Sequence, residues 1–264
     1  MTNNEPVTLY AYVTSPYAMK VHSFLLYKQI PFQVYYVNPT HPERELPFGR
    51  SIPVLKIGQK ARNDSTPIGL WLDQCISERP LMPAQVAVKN RVLTIDQWVS
   101  EHLIPSIFFS VYPKFFQPSS LRQCWPAAMQ LGRCVAQTTH HGFPAGLRYL
   151  WPLLLNRAAF IRRLIEPLAA KKTASEHRKS VLLTLENKLQ SKSFLADTEH
   201  PTLADLSAWS QIVGPYQLNL YHMDDFLNFS NIRLWVKRVA AYLPADTNKP
   251  PLVPAILNPR ELHF

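Results

Sequence analysis

Apolar and polar positions follow two rhythms along this chain, and the change falls near residue 84. Before it, short β-like runs alternate with helix-like segments. VTLYAYV (7–13) and FQVYYVN (32–38) are rich in β-branched and aromatic residues and read as strands. Between them, AMKVHSFLLYKQ (18–29) carries apolar residues at helical spacing and stops at Ile30-Pro31. Strand, helix and strand at this spacing predict a βαβ unit with parallel strands. A polar, proline-rich stretch, PTHPERELPFGRS, follows, and then IPVLKIGQKARN, whose Gly58-Gln59 centre predicts an antiparallel hairpin. Asp64-Ser65 opens another helix, TPIGLWLDQCIS.

From Pro83 onward the spacing is helical. VAVKNRVLTIDQWVSEHLIPSIFFSVY repeats apolar residues every three or four positions, and further helices are expected over 157–171, 175–191, 202–220 and 231–242. The stretch 113–152, with its Pro, Gly and paired His, reads as broken helices without clear boundaries. DTNKPPLVPAILNPRELHF reads as an extended, proline-rich tail. The expected organisation is an α/β domain over 1–83, of pattern βαβ–ββα, and an all-helical domain over 84–264.

The 264 residues, 47% hydrophobic and 17% charged, suit one large or two ordinary globular domains. No apolar run approaches the roughly 20 residues of a membrane span, and MTNNEPVTLYAYV lacks the basic start and apolar core of a secretory signal. Three cysteines without a framework spacing fit a reducing compartment, so a cytoplasmic location is expected. Cys124, Cys134, His140 and His141 match no standard zinc spacing, so no metal is expected, and Cys75 lacks a partner for dithiol redox work. The formal charge of +10 is compatible with nucleic acid, anionic lipid or small anions. Its densest group, Arg157, Arg162, Arg163, Lys171, Lys172, Arg178 and Lys179, is interleaved with apolar residues, which reads first as a solvated helix face. Nucleic acid is not an expected partner.

Chemistry concentrates at VTSPYAMKV (13–21). Ser15 is a favoured N-cap, and Pro16 suits the first helical position because its missing N–H had no helical partner anyway. The plain reading is a well-made helix start. The sharper one is that Ser15 holds an anion at a positively polarised helix N-terminus.

Six motifs in order resemble the cytosolic glutathione transferases along roughly the whole chain. LYAYVTSPYAMKV is similar to the first strand and helix start of the serine-type classes, and SPYA sits where thioredoxin relatives carry Cys-Pro-Tyr-Cys. SIPVL, NDSTPIGLWLD, WLDQCISERPLMPA, FLADTEHPTLADLSAW (with Thr202 and Asp205 as a capping box) and NIRLWVKRVAAYLP follow at family-like spacing. The resemblance implies a thioredoxin-like domain with a mixed four-stranded sheet, then a helical bundle. It implies that the Ser15 hydroxyl contacts the glutathione sulfur, and that Pro53 is cis with the Ile52 backbone pairing the cysteinyl part. Asp64 and Ser65 would take the γ-glutamyl amine and carboxylate. For the glycine carboxylate, His41, Arg44 and Arg50 remain open, because Ser51 stands where the family often has Lys or Gln. Thr14, Tyr12 and Tyr10 remain alternatives to Ser15. A homodimer is implied as well.

The chemistry would be electrostatic. Glutathione's thiol has a cysteine-like pKa of about 8.5, and the thiolate is the nucleophile. Lowering that pKa by two units needs about 2.7 kcal/mol. One charge-assisted hydrogen bond of about 1.5–3 kcal/mol and a helix-dipole contribution of up to about 1 supply it. The electrophile would lie between the first strand–helix loop and the first helices of the second domain, near FFSVYPKFF (108–116). Two other readings stand beside this one: a non-catalytic protein in which the 113–175 segment fills the cleft, and docking of the basic surface on an anionic partner.

Overall fold

The structure, a computed structural model, describes residues 5–112, 118–139, 144, 146–220 and 223–244, without the side chains of residues 119, 120 and 123. Four strands, β1 (Val7–Ala11), β2 (Gln33–Tyr36), β3 (Val54–Ile57) and β4 (Lys60–Asn63), form one sheet in the order β2-β1-β3-β4. β1 and β2 are parallel, joined by α1 (Pro16–Tyr27), while β3 runs antiparallel to both β1 and β4. This is the mixed thioredoxin-like sheet that the sequence leads one to expect. The β3–β4 turn is Gly58-Gln59, and Gly58 has φ +56°, a conformation that a Cβ would strain.

Alternation along the strands gives the sheet two unlike faces. Val7, Leu9, Ala11, Leu55 and Ile57 join the main core with α1 and α2 (Ser65–Cys75). On the other face Val54 clusters with Val37 and Leu46, flanked by Tyr10, Tyr12 and Tyr35. The polar 39–51 stretch therefore folds over the sheet through Leu46, and it holds a single 3₁₀ turn, Pro42–Arg44.

Every regular element described beyond residue 85 is helical: α3 (Val86–Trp98), a π-helical turn (Val99–Leu103), α4 (Ile104–Val111), α5 (Pro118–Thr138), α6 (Leu147–Arg157), α7 (Ala159–Ala169), α8 (Ala174–Lys188), α9 (Leu203–Gln217), a 3₁₀ turn (Asp225–Asn228) and α10 (Ser230–Ala240). Within the 113–152 stretch the described residues form α5 and the first part of α6, packed together. Gly132 of α5 lies so close to α6 that a Cβ would meet the Arg148 carbonyl at 2.7 Å. The expected extended tail, together with His140 and His141, lies outside the described residues.

α9 joins the two halves. It is buried on every side from Leu203 to Pro215, and Ser207, Ser210 and Gln211 on one of its faces are buried with the apolar residues. Gln211 donates to the Pro16 carbonyl at 3.0 Å, and Ser23 of α1 donates to the Leu206 carbonyl at 3.1 Å. At its N-terminus Asp205 accepts from the Thr202 N–H (3.0 Å), the Thr202 hydroxyl (2.9 Å), the Leu195 N–H (2.8 Å) and Trp235 Nε1 (3.0 Å). Burial pushes the Asp205 carboxyl above its usual range, and these donors oppose the shift. The connection out of α2 is fixed by Asp73, which accepts from the N–H groups of Leu81 and Met82 at 2.9 and 2.8 Å and pairs with buried Lys28 at 2.8 Å.

A second buried ion pair spans the halves. Lys20 of α1 lies 2.8 Å from Asp96 of α3, with side chains 0% and 3% exposed. Thr66 of α2 donates to Asp96 at 2.5 Å.

Candidate functional site

The register of the sheet brings three loops to one edge. Tyr10 pairs with Val54, and Val54 pairs with Asn63. The residues just past β1, just before β3 and just after β4 are therefore neighbours, and they are 12–17, 50–53 and 64–65. Beside this edge lies a cavity of about 650 Å³. Its two walls differ in chemistry. The sheet half contributes Tyr12, Thr14, Ser15 and Tyr17 with Thr40, Arg50 and Ile52. The helical half contributes Phe108 of α4, Trp151, Leu154 and Leu155 of α6, and Phe160 and Ile161 of α7.

Ser15 is the N-cap of α1, half-buried, with Pro16 following it. Its Oγ accepts from the Ala18 N–H at 3.3 Å. A serine hydroxyl has one proton to donate besides its acceptor sites, so the cap leaves that proton uncommitted at a wall of the cavity. α1 is long enough to add partial positive charge at the same place. Tyr12, the alternative donor, is held neutral: burial, Glu43 and Glu45 push its phenol up to about 12. Tyr17 is also raised, by burial and then by the charge of Asp64. That influence puts the Asp64 carboxylate within electrostatic reach of the cavity wall.

The other expected residues are distributed unevenly. The Ile52–Pro53 peptide is cis; Ile52 lines the cavity and Pro53 is buried behind it. Asp64 and Ser65 are not wall residues but sit next to Pro53 across the β3–β4 pair. Asp64 stands at the N-cap position of α2 without capping it. Its side chain makes no capping hydrogen bond, and its backbone lies at φ +68°, ψ 130°, a sparsely populated conformation for a non-glycine residue. The exposed carboxylate is thereby left for another partner, while Ser65 is 1% exposed. Arg50 reaches the cavity edge but is 77% exposed, with Glu43 at 3.5 Å. His41 and Arg44 are exposed and do not line the cavity.

Sequence reasoning missed most of the apolar wall. Of 108–116 only Phe108 reaches the cavity; Phe109 is buried elsewhere, and 113–117 lie outside the described residues. The larger share comes from α7 and from α6, whose own run YLWPLLL has more apolar positions than one core-facing stripe uses. These helices border the cavity, which remains open before Ser15.

Residues 9–80 match the family model described as glutathione S-transferase, N-terminal domain. Over about nine tenths of its length the chain shares its fold with solved glutathione transferases. Glutathione transferase F2 from Populus trichocarpa is similar at 18% identity, with 89% of this chain and 93% of that one covered and a TM-score of 0.57. Human glutathione S-transferase T1-1 has 19% identity, coverage of 90% and 84%, and a TM-score of 0.56. The beta-etherase LigF from Sphingobium sp. strain SYK-6 has 18% identity, coverage of 89% and 95%, and a TM-score of 0.57. No curated protein sequence matches the chain. In this glutathione transferase fold the cavity lies where the N-terminal domain meets the helical region.

Proposed function

We propose that the protein is a glutathione transferase in which Ser15 stabilises the glutathione thiolate for attack on an apolar electrophile. The observation that carries this reading is the Ser15 hydroxyl itself. It caps α1 as an acceptor, keeps its proton, and faces a cavity with one hydroxyl-rich and one apolar wall. In this reading glutathione lies along the sheet edge, paired with the Ile52 backbone. Its ammonium goes to Asp64 and its γ-glutamyl carboxylate to Ser65 at the start of α2, with Arg50 nearest for the glycine carboxylate. The uncommitted Asp64 carboxylate fits an ammonium. The electrophile occupies the side of Phe108, Trp151 and Phe160. Neither Ser15 nor Tyr12 acts as a base; the thiol proton leaves to solvent, the hydroxyl donates to the resulting S⁻, and substitution at the electrophile expels the leaving group as the carbon–sulfur bond forms. The unit boundaries are taken as 1–83 and 84–264, with a homodimer and a cytoplasmic location as parts of the same proposal.

One observation favours a second reading, a binding protein of this fold without turnover. Arg50 is exposed and faces Glu43, and Ser51 offers no cation beside it, so the glycine end of glutathione has a weak hold. Calorimetric titration of glutathione into wild type and Ser15→Ala tests both, with the thiolate absorbance of the bound ligand followed against pH. Both proteins are expected to bind, with the bound thiol pKa higher in Ser15→Ala by about one to two units. Binding with an unshifted thiol in wild type supports the second reading. No binding to wild type overturns both.

A further inference from the structure

The outer face of α6 and α7 is unlike the rest of the surface. Tyr149 and Leu153, and Leu150 and Leu154, are spaced by four along α6, and Phe160 follows on α7; all are between 38% and 56% exposed. The other exposed large apolar side chains among the described residues, such as Phe48, Val86 and Leu234, are scattered along the chain. From residue 147 to 172 the charge has one sign but for a single glutamate. Arg157, Arg162, Arg163, Lys171 and Lys172 are exposed, and Arg148 lies over the Tyr149 ring at 4.6 Å. Glu166 is the one acidic residue from 147 to 172, and it sits 3.4 Å from Arg162. Arg157 and Arg163 have no ion-pair partner among the described residues.

We propose that this face docks peripherally on an anionic lipid bilayer. Apolar side chains flanked by arginine, with Arg157 one turn from Leu153 and Leu154 and Arg163 one turn from Phe160, are what an interfacial helix needs: the first enter the acyl boundary and the second meet the headgroups. A second copy of the chain would bring like charge against like charge. A nucleic acid would use the arginines but leave Leu150, Leu153 and Phe160 against phosphates. The cavity favours lipid over an acidic protein. Leu154 and Phe160 belong both to the exposed cluster and to the cavity wall, so the face opens into an apolar chamber that a bilayer can supply and a protein partner would cover. No helix among the described residues is long and apolar enough to cross a membrane, which is consistent with docking on the surface. The proposal does not depend on glutathione occupying the cavity.

The test is co-sedimentation of the full chain with vesicles of phosphatidylcholine alone or with about a third phosphatidylserine. Binding to the anionic vesicles only is expected, falling as salt rises from about 0.05 to 0.5 M. The double variant Arg157→Glu/Arg163→Glu should lose about tenfold or more in vesicle affinity, and Leu150→Ser/Leu153→Ser should lose several-fold. All four side chains are exposed, so both variants should keep the wild-type unfolding midpoint. Absence of wild-type binding, equal binding to neutral vesicles, or full binding by the charge-reversed variant would each overturn the proposal. Binding to polyglutamate but not to vesicles would assign the face to an acidic macromolecule. A dimer in sedimentation velocity that the same substitutions dissociate, without vesicle binding, would assign it to a second copy.

Discussion

Two helix starts in this protein use the same kind of residue in opposite ways. At α9, Thr202 gives its hydroxyl proton to Asp205, which also takes three N–H donors, and the whole assembly is buried. At α1, Ser15 accepts from Ala18, keeps its proton, and is half-buried at a cavity. Both hydroxyls sit at helix N-termini, so capping alone does not separate structural from chemical roles. What separates them is where the proton goes and whether a ligand has room beside it.

The largest expected effect lies at the closed start. Asp205→Ala strands the indole N–H of Trp235 and two backbone N–H groups in the core, which should cost about 3–5 kcal/mol in denaturant unfolding. A loss below about 1 kcal/mol would mean that water reaches the site and that the start is not closed. Next comes the clasp behind the open start. Asp96→Ala leaves Lys20 buried without its partner, for a loss of about 3 kcal/mol, whereas Lys20→Met/Asp96→Leu should recover most of it. Ser15 should be milder. Ser15→Ala removes one exposed-side cap, about 1 kcal/mol, while Ser15→Asp keeps the cap but sets a negative charge where the thiolate would lie. Ser15→Asp should match wild-type stability and bind glutathione at least tenfold more weakly in calorimetry; unchanged binding would detach the open start from the ligand.

The smallest effect concerns pH. His177 of α8 is half-buried, and burial lowers its pKa below the ordinary 6.5. The unfolded chain then binds the proton more readily, so stability is lost as pH falls through and below 6.5. The thermal midpoint should decline from pH 7 to pH 5 in wild type and decline less in His177→Gln.

The contrast between the two starts also explains what the sequence made legible. Ser15-Pro16, the Gly58-Gln59 turn and the strand rhythm are local signals, and each appears where it was read, although the strands are shorter at Val7–Ala11 and Gln33–Tyr36. The Thr202–Asp205 box is local too. The partners that give each start its character are remote. Trp235 lies thirty positions from Asp205, and the cavity before Ser15 is walled by residues beyond 150. Asp64 was placed at the helix start from the sequence, but its positive-φ backbone, which leaves the side chain off the cap, has no trace in composition. Arg178 looked like part of a solvated basic face. Instead it is 2% exposed, with Nε 2.9 Å from Asp225, a partner 47 positions away that no helical period points to. The apolar wall was hidden for a different reason: on an amphipathic helix, residues that line a cavity and residues that fill a core have the same spacing.

The Lys20–Asp96 clasp has a kinetic consequence. It ties α1 of the sheet half to α3 of the helical half, so hinging the halves apart would uncover two charges that now neutralise each other. Parting the halves would also break the Gln211–Pro16 and Ser23–Leu206 hydrogen bonds and uncover the packed faces of α1 and α9, so the parted state is sparsely populated. A visiting molecule then meets a chamber already in its final shape. Its arrival rate is governed by diffusion to the mouth rather than by waiting for the walls to move. Selection among visitors falls to the fixed contour of Phe108, Trp151 and Phe160.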